Sequence, residues 1–164
     1  MNIGEILISN PLIAAAKHEN LEFAVNSKVS FVILMNGRLN ELVSPKFKSC
    51  NDKKRIILHT DLVKGLSNDK EAVNFIKEHI NPVGIVSTKS GMLKAAKKKG
   101  LITVQRIFLI DSDSLKNAIA SIKENNPNAV EIMPALASSI VRDIKNEIQR
   151  PIILGGLVKK RSRY

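Results

Sequence analysis

Short apolar runs recur along the chain, and most of them end in a compact polar cluster. They begin near residues 12, 30, 55, 83, 102, 129 and 152. The runs are rich in Ile and Val and lack the strict alternation of a strand with one wet face, which marks strands covered on both sides. Between them lie segments with helical period. Leu115, Ala118, Ile119 and Ile122 fall at i, i+3, i+4 and i+7, and Ile140, Val141, Ile144 and Ile148 share one face, as do Val73, Ile76 and Ile80. Asn68, with Glu71 three residues on, predicts an N-cap and its reciprocal partner. Asn125-Asn126-Pro127-Asn128 predicts a helix end just before a strand.

Strands alternating with helices predict a parallel sheet with right-handed crossovers. An open sheet and a closed barrel both fit the pattern. Seven units at spacings of 18 to 28 residues favour a TIM-barrel-like (β/α) parallel barrel forming one domain over residues 1–164. Complete barrels typically need about 250 residues and at least about 200. The reading is therefore a barrel with seven β/α units visible, its last strand and helices missing, and a basic tail over 159–164. Such a barrel leaves free edges beside its first and seventh strands. A homodimer is one way to cover them.

Composition narrows the class. An apolar content of 44% is that of a globular protein, and a single cysteine, Cys50, precludes an intrachain disulfide. No run approaches the roughly 18 apolar residues of a membrane span, and Met1-Asn2-Ile3-Gly4-Glu5 has no charged leader region. The chain reads as cytoplasmic, with no membrane partner. Twenty-six Lys and Arg against fifteen Asp and Glu give a net charge of +11. That excess attracts polyanions, nucleic acid among them. A merely Lys-rich composition produces the same number, so charge alone selects no partner.

Ligands of parallel α/β folds bind beyond the carboxyl ends of the strands, which directs attention to the polar clusters there. His59 and Asp61, two apart at the end of a strand, would face one side. The alternatives are a metal site, a base with its orienting carboxylate, hydrogen bonds to a polar ligand, or a structural role. Lys89 and Arg106 end the next two strands, and together they could hold a phosphate. Lys89 could instead form a Schiff base, and Arg106 could pair with Glu131 on the following strand. Gly155-Gly156 lets backbone approach a ligand closely and can present N–H groups to an anion. Lys53, Lys54 and Arg55, with Lys97, Lys98 and Lys99, precede strands and so lie at the opposite end, as a weak candidate for RNA. There they also offset helix dipoles. With aromatic residues at 4%, base stacking is poorly supplied. RNA contacts there would be to phosphate and shape.

Several stretches carry a resemblance. His59-Thr60-Asp61-Leu62-Val63-Lys64-Gly65-Leu66, Gly84-Ile85-Val86-Ser87-Thr88-Lys89 and Gln105-Arg106-Ile107-Phe108-Leu109-Ile110-Asp111 closely resemble the glycerol-3-phosphate-responsive antiterminator family, as do Val130-Glu131-Ile132-Met133-Pro134-Ala135 and Gly155-Gly156-Leu157. The likeness runs in order over about residues 10 to 158. It implies a barrel-like regulator of glycerol uptake operons that is not an enzyme. Its effector would be glycerol 3-phosphate, and its partner the leader mRNA of glycerol-catabolism genes. On that reading Lys89, Arg106, Gly155 and Gly156 hold the phosphate, while His59, Asp61 and Glu131 meet the glycerol hydroxyls. No catalytic residue, metal or cofactor is assigned. The competing expectations are a barrel enzyme acting on a small phosphorylated metabolite and a shortened remnant without function.

Overall fold

The computed structural model describes residues 1–135 and 140–158, so the basic tail expected over 159–164 lies outside the described residues. In chain order the strands are β1 (Ile13–Ala16), β2 (Phe31–Leu34), β3 (Gly37–Arg38), β4 (Ile56–His59), β5 (Val63–Lys64), β6 (Gly84–Ser87), β7 (Ile102–Phe108), β8 (Ala129–Met133) and β9 (Ile152–Leu154). The helices are α1 (Ile3–Ser9), α2 (Leu21–Val25), α3 (Leu39–Leu42), α4 (Pro45–Lys53), α5 (Lys70–Phe75), α6 (Ser90–Lys98), α7 (Ser112–Asn125) and α8 (Val141–Ile148). A π-helical turn over Ile76–Ile80 extends α5.

Seven strands form one all-parallel sheet in the order β1-β2-β4-β6-β7-β8-β9, and β3 and β5 make a separate two-residue ladder. All seven anticipated runs are strands of the main sheet. β7 continues through Gln105 and Arg106 to Phe108, further than its apolar start predicts. Its partner β8 supplies a ladder over five residue pairs, so hydrogen bonding outlasts the apolar run.

Alternate residues sort to two sides. Phe31, Ile33, Ile57, Val86, Ile102, Val104 and Ala129 form an inner cluster. Ile3, Ile6 and Leu7 of α1 pack against it, closing the interior at the strands' N-terminal ends. Val32, Leu34, Ile56, Leu58 and Ile85 face outward onto α2, α4, α5 and α6, and Val130 and Ile132 face α7 and α8. Both faces of the central strands β2, β4 and β6 are buried, as Ile/Val-rich parallel strands require.

Asp69, not Asn68, caps α5: its carboxylate accepts from the Ala72 N–H at 2.9 Å. Asn126, in the left-handed region at φ 47°, ends α7 as its sequence predicts. Among the described residues, strands β1 and β9 each have a neighbour on one side only. Between their free edges opens a cleft of about 1470 Å³, lined by α1 and β1 on one side and by β9 and the end of α8 on the other.

Candidate functional site

The inner alternation carries polar residues at the carboxyl ends of the strands. Ile57 faces inward, so His59 two positions on does too. Val104 places Arg106 inward, and Ala129 does the same for Glu131. Parallel register sets Arg106 directly opposite Glu131. The Arg106 Nε donates to Glu131 Oε2 at 2.8 Å and Nη2 donates to Oε1 at 3.2 Å, a bidentate pair with both side chains about 6% exposed. Nη2 also lies 3.6 Å from the Met35 sulfur. Breaking a buried pair by removing one member typically costs about 3–5 kcal/mol, because the other charge is left uncompensated. The pairing expected for Arg106 is therefore present. The cleft between β1 and β9 reaches both residues.

His59 is buried, and among the described residues neither ring nitrogen has a hydrogen-bond partner. Burial and, next, the Arg106 charge hold its pKa down at about 4, against a smaller opposing pull from Asp61. The imidazole is therefore neutral near pH 7, with unsatisfied polar atoms inside the barrel. Asp61 does not continue the strand beside it. β4 ends at His59 and Thr60–Leu62 is a 3₁₀ turn. There Asp61 accepts from Ser87 Oγ (2.6 Å), the Thr88 N–H (2.8 Å) and Thr88 Oγ1 (2.7 Å). Burial pushes its carboxyl up, but those donors more than offset it and leave its pKa below the ordinary value. Asp61 thus ties the end of β4 to the end of β6. Ser87 and Thr88, its donors, and Met35, next on the inner face after Ile33, are site residues that the sequence reading did not assign.

Lys89 stands at the N-cap of α6 with an exposed side chain, so it stays on the rim. A Schiff-base lysine works from an enclosed apolar pocket, and Lys89 is exposed. Gly155 serves close approach. A Cβ there would lie 2.6 Å from Glu131 Oε1, and one on Gly156, whose φ is +69°, would lie 2.8 Å from the end of Met133. The Gly155 N–H already donates to the Ile132 carbonyl at 3.0 Å, so it is not free to cradle an anion. Among the described residues no three His, Cys, Asp or Glu side chains gather as a metal site.

The basic residues lie at the other end of the strands. Lys54 donates to the carbonyls of Ser27 and Val29 at 2.9 and 3.2 Å, Arg55 lies 5.9 Å over the Phe31 ring, and Lys97 donates to the Asn126 carbonyl. These three have structural work. Lys53, Lys98 and Lys99 are exposed, and their side chains make no hydrogen bond or ion pair among the described residues.

Solved structures resemble this architecture at two levels. An aldolase, QR15, shares the barrel at TM-score 0.65 over 90% of this chain and 80% of its own, at 12% identity, a likeness of fold alone. The glycerol uptake operon antiterminator regulatory protein of Listeria monocytogenes str. 4b F2365 superposes at TM-score 0.85, with 29% identity over 90% of this chain and 80% of its own. The uncharacterized protein YgcP of Escherichia coli K12 is 33% identical over 159 residues, 96% of this chain and 83% of YgcP. The family model for the glycerol-3-phosphate responsive antiterminator matches residues 12–163. With that match spanning most of its length, the chain belongs to the glycerol-3-phosphate responsive antiterminator family.

Proposed function

We propose that this protein is a glycerol-3-phosphate-responsive transcription antiterminator that binds the leader mRNA of glycerol uptake and catabolism genes. The effector sits at the carboxyl ends of the strands and the RNA on the basic face at their N-terminal ends. The observation that carries the reading is the interior polar layer. A buried Arg106–Glu131 pair beside a His59 that has no partner among the described residues is costly in a barrel core, and a small polar anion would repay the cost. Arg106 would meet the phosphate and Lys89 would add charge from the rim. His59 and Glu131 would face the hydroxyls.

A thermal melt with glycerol 3-phosphate, using glycerol and inorganic phosphate as controls, tests the effector half. A ligand that binds only the folded state adds about 2.7 kcal/mol at 100 times its dissociation constant. The expected result is a selective rise in Tm with glycerol 3-phosphate. An unchanged Tm at millimolar ligand would refute the site.

A further inference from the structure

The charge balance of the interior site decides what it can accept. Arg106 and Glu131 cancel each other at 2.8 and 3.2 Å. Asp61, in the turn that follows His59, is engaged by three donors from Ser87 and Thr88. Val86, opposite His59 on β6, and Met35, beyond β2, are uncharged. Lys89 is exposed on the rim, where water and salt screen its charge. An anion entering the cleft thus meets a neutral ion pair, Arg106 with Glu131. His59 faces the same interior behind the cleft's lining, close enough to feel the Arg106 charge, and its two ring nitrogens have no hydrogen-bond partner among the described residues. Confining a charge in such a space is expensive unless a counter-charge appears with it. Of the described residues inside, His59 is the one that can become a cation by gaining a single proton.

We propose that His59 is the specificity-determining residue of this site: it takes up a proton as the ligand enters and thereby selects a dianionic phosphate monoester over ligands with one negative charge. The inference rests on the reading of the site as the glycerol 3-phosphate site. In the empty protein, burial and the Arg106 charge keep the ring neutral. A dianion beside the ring reverses the sign of the local field. The proton comes from solvent, and the new N–H donates to a phosphate oxygen. A phosphodiester or a carboxylate supplies half that field and holds the proton less well.

Titration calorimetry on the full chain at pH 7.5 reads both consequences. There a phosphate monoester with a second pKa of about 6 is already a dianion. The probes are glycerol 3-phosphate, its methyl phosphodiester and glycerate, each in buffers of different ionisation enthalpy. The expected result is net proton uptake with glycerol 3-phosphate and a preference over the diester of roughly tenfold or more. His59→Gln should still bind the monoester, lose the uptake and lose most of the preference. Binding without uptake by the unaltered protein would overturn this inference and leave the site's assignment intact. Uptake that persists in His59→Gln would overturn it too, by moving the proton to another group. An absence of binding to the unaltered protein would remove the assignment and the inference together.

Discussion

His59 makes the fold sensitive to mild acid. Its folded pKa of about 4 lies below the ordinary 6.5, so between those values the unfolded chain binds more protons than the folded one. Stability is full above about pH 6.5 and falls as pH drops toward 4. At about 1.4 kcal/mol per pH unit, the interval is worth about 3 kcal/mol. Denaturant midpoints measured from pH 7.5 to 4 should show this fall in the unaltered protein and a flatter profile in His59→Gln; parallel profiles would refute it. Asp61 acts in the same direction at lower pH, since its folded pKa is also depressed. Arg106 and Glu131 were legible as partners because each interrupts an apolar run and their strands are consecutive. The capture of Asp61 by Ser87 and Thr88 was not, since it depends on where two strand ends stop relative to each other. Likewise, the free N–H expected at Gly155 is consumed by the ladder, which sequence spacing does not reveal.

At the scale of elements, hydrophobic periodicity located every long strand and the faces of α7 and α8, because burial on one or both sides is written in the side chains themselves. Capping was less legible. Asn68 and Asp69 are both good cap residues, and the acidic residue at position 71 favoured the wrong one. The structure decides by which side chain reaches the free N–H of the first turn. Asp69→Ala should therefore lower Tm by roughly 2–4 °C, as the loss of one cap does in a chain of this size, and Asn68→Ala should leave it unchanged. The opposite order in a calorimetric scan would restore the Asn68 assignment. Helix α1 was missed although it carries a signal: Asn2 accepts from the Gly4 N–H and donates to Glu5, and Ile3, Ile6 and Leu7 have helical spacing. With seven residues it falls below the window in which periodicity stands out. The β3–β5 ladder, two residues on each side, is shorter still.

The whole molecule separates two chemistries by the length of its strands: a neutralised polar interior at one end and, at the other, exposed lysines without partners among the described residues. Charge counting alone treated all six candidate basic residues alike, and the structure divides them. Replacing Lys53, Lys98 and Lys99 with Gln should lower the slope of log K against log salt for RNA by about 2 without lowering Tm, since each phosphate contact contributes about 0.7–0.9. Lys54→Gln should reduce Tm instead, through the loss of two carbonyl contacts. A slope untouched by the triple change, read by filter binding, would put the RNA elsewhere on the surface. The free edges of the sheet carry one more consequence. A closed barrel has no outermost strand, but here, among the described residues, β9 is outermost, three residues long, and bonded on one side only. Glu131 sits on the next strand in, with Gly155 against its carboxylate. Fraying of β9 alone, an opening far smaller than global unfolding, is enough to wet one wall of the Arg106–Glu131 pair. The most polar point of the interior therefore shares its exposure to water with the weakest edge of the sheet.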